Sequence, residues 1–396
     1  MLLVIIFIAF IGLGLPDSLS GAGWPVIHAA IGAPLAFAGV LSMTTTAMTI
    51  VSSLVSNRIT QRFGTGLVAG VSTAMVASGL LLYSLANSVW QMLALCVPIG
   101  LGAGAIDAAL NHYVAANFSS RNLSHLHCCW GIGAAISPRI MGYFLKNNAN
   151  WQGGYLTVGA ILMGIALLVF LSLRLWKTNA KLPLHAKIKP VKEIIKIKGV
   201  KYVMIAFLCY CAIETTAGLW VASYLVGFRG MLPHVAASFA SLYFIGITLG
   251  RFVSGFFVDR VGDARMIRLG LLVALLGLIL LFLPFGETSV AGILILGLGC
   301  APIYPAIIHD TPLCFGAENA APIIGFEMAS AYTGATIIPP LFGLIAQNTT
   351  IGIYPFFLLF FLALVFLMTQ KMYKTIKENT LHDKRDETQI LENGNR

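Results

Sequence analysis

Three carboxylates stand inside apolar sequence, where charge is costly. Asp17 lies in "FIGLGLPDSLSGAGWP" (10–25), well inside a run that begins at Met1. Asp107 lies in "GLGAGAIDAALNHYVA" (100–115), and Glu214 in "YCAIETTAG" (210–218). Burial in a low dielectric favours the neutral form of a carboxyl. An acid that exchanges between neutral and charged forms near neutral pH can carry a proton. Asn111 follows Asp107 by one helical turn, so both share a helix face. Acid and amide together accept from, and donate to, hydroxyl groups. Trp24, Trp130 and Trp220 offer flat surfaces for a solute, and Trp24 also fits an interfacial anchor. His127, in "HLHCCW", reads as a histidine at the mouth of a span. Asn111, His127, Trp130, Glu214 and Trp220 are therefore the candidate solute-binding residues, and Asp17 and Asp107 the candidate proton carriers.

Composition fixes what must position them. The chain has 396 residues, 58% hydrophobic and 10% charged. Soluble domains carry roughly a quarter charged residues, so the bilayer is the expected solvent. The net charge of +10 gathers in a few connections, which fits membrane orientation and not nucleic-acid binding. The seven cysteines have neither zinc-site spacing nor a paired framework. No P-loop, dinucleotide fingerprint, metal motif or nucleophile–His–acid array is present, so no cofactor or metal is expected.

Lipid offers the backbone no hydrogen-bond partner, so apolar runs of about twenty residues become helices. Twelve are read: 2–28, 36–57, 66–86, 90–115, 125–146, 152–174, 201–227, 236–258, 266–285, 289–308, 321–347 and 352–372. Arg58, Arg62, Arg121, the lysines of 177–201, Arg260, Arg265 and Arg268 fall in even connections. Those connections, and both termini, are expected in the cytoplasm. The tenth connection, with Asp310 and Glu318, does not bear on orientation. No basic stretch precedes the first run, so a cleaved signal peptide is not expected. The expected divisions are 1–174, a basic linker 175–200 against an anionic membrane face, 201–372, and a cytoplasmic tail 373–396.

The two halves repeat. Asp17 pairs with Glu214 at an offset of 197 and "QRFG" (61–64) with "DRVG" (259–262) at 198. "GLGAG" (100–104) pairs with "GLGCA" (297–301) at 197 and Pro138 with Pro339 at 201. The expected fold is an all-α membrane protein, two six-helix bundles related by pseudo-two-fold symmetry with a site between them. Five ionisable residues stand out within spans: Asp17, Asp107, Arg139, Glu214 and Glu327. A charge at a helix centre costs roughly 2.5–3.5 kcal/mol by insertion scales, so each needs a cavity or a partner. Arg139 either snorkels to the outer interface or pairs with a cavity acid, and Glu327 has no assigned role. Asp259, Arg260 and Gly262 form a turn expected to brace helices as a gate.

The chain resembles the major facilitator superfamily over residues 1–372, with "GFFVDRVG" similar to its loop motif. Within it, the sequence most resembles the fucose–galactose–glucose proton symporters. "LPDSL" is similar to their Asn-Asp-x-Leu segment, and "GLGAGAIDAALNHYV" to their Gly-Leu-x-x-Leu-Glu-Thr-Ala-Ala-Asn-Pro-Tyr. "CAPIYPAI" resembles their Phe-Pro-Thr-Ile segment. "HLHCCWGIGA" resembles their Gln-x-Phe-Asn-Pro-x-Gly-Ala, with His127 at a sugar-contacting Gln and Trp130 at the Asn. The resemblance implies a monomeric secondary transporter of the plasma membrane that moves a sugar or other small polar solute with a proton, Asp17 and Asp107 being the key acids. Facilitated diffusion, drug or metabolite efflux and a non-transporting sensor remain the alternatives.

Overall fold

The computed structural model describes residues 1–118, 120–147, 150–176 and 191–394. The side chains of Ser120, Arg121, Leu123, Ser124, Val191, Lys192, Asp259, Ala317, Glu318, Ala321 and 379–394 lie outside that description. The lysines at 177–190 and 192, expected to make the linker basic, fall there too. Among the described residues there is no strand.

Twelve long helices appear among the described residues. The first half holds α1 (Leu2–Ala30), α2 (Phe37–Phe63), α3 (Thr65–Tyr83), α4 (Val89–Asn117), α5 (Ser120–Lys146) and α6 (Trp151–Leu171). The second holds α7 (Val200–Gly227), α8 (Pro233–Val261), α9 (Asp263–Phe282), α10 in two pieces (Gly286–Cys300 and Ile303–Phe315), α11 (Ala317–Asn348) and α12 (Tyr354–Gly394). A short helix, Val191–Lys196, precedes the second half and buries Ile194. By length and composition, eleven spans among the described residues can cross a membrane. The remaining helix, α5, packs between α1 and α8 and carries His125, His127 and Arg139.

The two largest boundary shifts fall at the ends of the tenth and twelfth spans. The tenth span extends beyond 308, to Phe315, which turns the expected tenth connection into helix and leaves Gly316 as the turn. Asp310 is therefore not a loop residue. It is 9% exposed, because Tyr373 of α12 supplies a donor that lets the acid be buried. The expected tail continues α12 as helix to Gly394.

The repeat is visible at the level of individual contacts. Gly133 of α5 lies against the Ile11 carbonyl of α1, and Gly334 of α11 lies against the Leu208 carbonyl of α7. Gly100 of α4 meets the Thr45 carbonyl of α2, and Gly297 of α10 meets the Tyr243 carbonyl of α8. A side chain at any of these glycines would collide with backbone, and small residues are what allow membrane helices to approach so closely. Each pair maps on its partner by the offsets of 197–201 seen in the sequence. Gly64 and Gly262, at φ +83° and +82°, end α2 and α8 in the same left-handed turn, a conformation that glycine adopts without steric cost.

Connections at Gly64, Gly262 and Gly316 share one end of the molecule with Met1, here the terminal face. The halves join through α5 on α8, α2 on α11 and α1 on α7. Close approaches between them cluster toward the other end, the opposite face: Gly21 on Leu219, Gly39 on Pro340, Gly142 on His234 and Gly343 on Ala36. Near the terminal face, a Cβ built at Gly255 of α8 or Gly325 of α11 meets nothing within 4 Å.

Candidate functional site

The crossing of α1 and α5 places the first acid. Gly14 lies against the Trp130 carbonyl just as Gly133 lies against Ile11, so the two backbones touch. Ser18 Oγ donates to Ala134 O at 2.6 Å and fixes the register of the crossing. Asp17 then emerges beside Trp130, whose Nε1 donates to Asp17 Oδ2 at 2.7 Å. Asp17 remains exposed, and no lysine or arginine pairs with it among the described residues.

Asp107 is within electrostatic reach of Asp17. Its Oδ1 accepts from Asn111 Nδ2 at 2.9 Å, and the same amide donates to the Asp107 carbonyl at 3.0 Å. The turn-spaced pair is therefore one unit. Tyr332 of α11, in the other half, lies within electrostatic reach of Asp107. Asp17 and Asp107 thus face the boundary between halves.

The second half contributes an ion pair. Arg251 Nη2 of α8 lies 2.9 Å from Glu214 Oε1 of α7, the two side chains being 17% and 16% exposed. The Arg251 guanidinium also sits over the Trp130 ring, 5.3 Å from its centre. Stacking of this kind contributes roughly 0.5–2 kcal/mol, more as the site is desolvated. A continuous line of side chains, Asp17–Trp130–Arg251–Glu214, therefore crosses from one half to the other through α1, α5, α8 and α7.

Other expected residues fall in different places. His127 is exposed on α5, two turns into the helix and not at a loop end, with its ring edge-on to Phe10 at 5.9 Å. Trp220 is wholly buried between α7 and α11, donating to Pro339 O at 3.0 Å and packing on Phe342. Its indole is spent on helix packing, so it offers no free platform. Trp24 is also buried, donating to Leu35 O at 2.8 Å, and does not sit as an interfacial anchor. Arg139 is exposed and reaches sideways from α5 to Ser241 Oγ of α8, 3.2 Å from its Nε. No carboxylate pairs with it among the described residues. The Asp259 side chain lies outside the described residues; Arg260 is exposed, and Gly262 forms the turn.

Arg251 is the residue that the sequence reading passes over. It lies inside the span 236–258, in "TLGRFVSG", and an arginine there carries the same signal as the acids. The partnership of Thr311 with Glu327 is likewise missed, because the two are brought together only by the packing of α10 on α11.

A family model described as "Major Facilitator Superfamily" matches residues 2–239 and 203–389. The chain is 24% identical over 285 residues to a glucose/mannose transporter, GlcP, of Bacillus subtilis (strain 168), covering 68% of this chain and 69% of that one. The structure resembles a crystal structure of the nucleoside transporter NupG, with TM-score 0.74, 12% identity and coverage of 94% and 98%. It also resembles the E. coli fucose:proton symporter FucP, with TM-score 0.61, 16% identity and coverage of 93% and 98%.

Proposed function

The chain belongs to the major facilitator superfamily; from that premise we propose that this membrane transporter couples the movement of a small hydroxylated solute to that of a proton. The observation that carries the reading is Asp17. It is exposed between the halves, holds one indole donor, and lacks a cation partner among the described residues. A carboxylate so placed is open to a proton and to donors on a solute. Asp107 and Asn111 supply an acceptor and a donor nearby, as hydroxyls require. The similarity to GlcP, a glucose/mannose transporter, and to FucP, a fucose:proton symporter, supports the same reading.

The halves 1–174 and 201–372 are the moving bodies in this reading, each a monomer's half, with 175–200 as linker and 373–396 as tail. The basic residues of the even connections favour a terminal face on the cytoplasmic side of the plasma membrane in this reading. The packing near the opposite face then makes this the state open to the cytoplasm. Protonation and solute occupancy both bias the same equilibrium between the two states, which is what couples them. Uptake of labelled monosaccharides and nucleosides into proteoliposomes, with and without an imposed pH gradient, tests the reading. Accumulation driven by the pH gradient supports symport. Flux that only equilibrates supports facilitated diffusion, and proton-driven expulsion supports efflux. Absence of flux for every polar solute removes the proposed solute class.

A further inference from the structure

The second piece of α10, Ile303–Phe315, is tied to three neighbouring helices, and each tie includes a carboxylate. His309 Nδ1 lies 2.8 Å from Asp263 Oδ2 of α9. Tyr373 of α12 donates to Asp310 Oδ2 at 2.6 Å. Thr311 Oγ1 donates to Glu327 Oε1 of α11 at 2.7 Å. Cys314 interacts electrostatically with all three acids, so they surround one stretch of this helix. No lysine or arginine pairs with any of them among the described residues.

Glu327 is the extreme member of the group. It is 0% exposed, and its Oε2 has no hydrogen-bond partner among the described residues. As an anion it would hold a bare, buried charged oxygen with neither donor nor cation, at a cost of several kcal/mol. A proton on Oε2 removes that charge and leaves the Thr311 bond to Oε1 intact. The groups around it cannot replace the proton. From α10, Asp310 and Cys314 face it with negative or neutral character. The other helices packed on α11 carry Arg58 and Arg62 (α2), Glu193 and Lys196 (the short helix) and Lys201 (α7), all exposed, and the part-buried Glu214 (α7), which is held by Arg251; none of them pairs with Glu327.

We propose that Glu327 is a proton-binding site of the second half, separate from Asp17 and Asp107, which exchanges its proton with the terminal face. Exposure marks the route: Glu327 is sealed, Asp310 and Asp263 are nearly so, and His309, bonded to Asp263, has a side chain 67% exposed. The proton adds to Oε2 from water and returns to water, with no other reactant. Release leaves an anion that needs a second donor, which water supplies when the Ile303–Phe315 piece moves off α11. The site does not depend on which solute the protein carries.

Infrared difference spectroscopy of the full chain in lipid nanodiscs, titrated with acid and base and no solute, tests this. A protonated-carboxyl band that responds to pH is expected in the wild type and absent in Glu327→Gln. It should survive in Asp17→Asn and Asp107→Asn, and shift in Thr311→Val, which removes the donor to Oε1. A Glu327→Gln spectrum whose titrating carboxyl bands match the wild type overturns the proposal, as does a Glu327 band that never responds to pH while the protein stays folded. If Glu327→Gln does not fold, Thr311→Val decides: no change in any titrating band overturns the assignment. None of these readouts requires transport, so failure of the symport reading would leave the result standing.

Discussion

The Arg251 guanidinium lies over Trp130 across the boundary between halves, 5.3 Å from the ring centre, while its Nη2 holds Glu214 at 2.9 Å. One cation thus serves a carboxylate in its own half and an aromatic face in the other. The same indole turns its N–H to Asp17. Any movement that parts α5 from α8 must therefore disturb the surroundings of both Asp17 and Glu214.

Arg251→Gln should be strongly destabilising, because it strands Glu214 as a partly buried, unpaired charge. Breaking a buried pair from one side costs about 3–5 kcal/mol, discounted here for the partial exposure of both groups. Adding Glu214→Gln should recover most of the loss, since neither group is then left alone. Thermal unfolding of the two single variants and the double variant measures the coupling directly. A double variant whose loss equals the sum of the two single losses would show that the ion pair contributes nothing.

Asp107→Asn and Asn111→Ala should both weaken solute binding, and their effects should not add. Asn111 donates to Asp107 through one amide, so removing either member dismantles the same unit. Truncating a donor to a charged group costs roughly 1.5–3 kcal/mol, about ten- to a hundred-fold in affinity. Solute affinities from equilibrium exchange across the four-member cycle check this, and full additivity would mean the two residues act separately.

Why was part of this legible and part not? The bilayer permits few backbone solutions, so apolar run length alone yields the helices, and the repeated landmarks yield the two halves. Asp17 and Asp107 are visible because an acid is conspicuous among leucine, glycine and alanine. Arg251 carries the same signal, yet it lies in the half of its span nearer Arg260, where basic residues of a connection are expected. Trp130 and Asp17 are 113 positions apart, and no spacing rule links them. Their meeting depends on two glycines that let α1 and α5 touch. Asp310 reads as a loop residue for a similar reason, since its donor, Tyr373, lies 63 positions away.

The packing near the opposite face predicts a conformational bias. Gly39 of α2 lies directly against Pro340 of α11, and Ala36 N donates to Gln347 Oε1 at 3.0 Å just beyond. Gly39→Val places branched carbon where Pro340 now sits, so this closed packing is penalised and the state open at that face is favoured. A cysteine introduced at Ala22, 1% exposed in this structure, should then react several-fold faster with an impermeant maleimide. An unchanged rate would mean that the contact does not hold the opposite face closed.

The opposite bias is proposed for Asp259, at the other end of α8. Asp259→Asn removes a charge from the turn before Gly262 and should weaken the state closed at the terminal face, leaving the present state favoured. Cysteine labelling at the terminal mouth reports it, with unchanged labelling the contrary result.

Asp17 carries the most direct test of coupling. Asp17→Asn keeps the shape of a protonated acid and still accepts from the Trp130 indole through its amide oxygen. Solute exchange down a gradient should therefore persist, while accumulation driven by an imposed pH gradient should be lost. Trp130→Phe keeps the acid but removes its donor and the best cation–π face beneath Arg251. That variant should remain coupled but shift the pH dependence of transport, because the charged form of Asp17 has lost a hydrogen bond that favoured it. Proteoliposome uptake and counterflow, each with and without a pH gradient, separate the two outcomes. If Asp17→Asn still concentrates solute using protons alone, coupling resides elsewhere, and the acid between Pro16 and Ser18 serves only to hold α1 against α5.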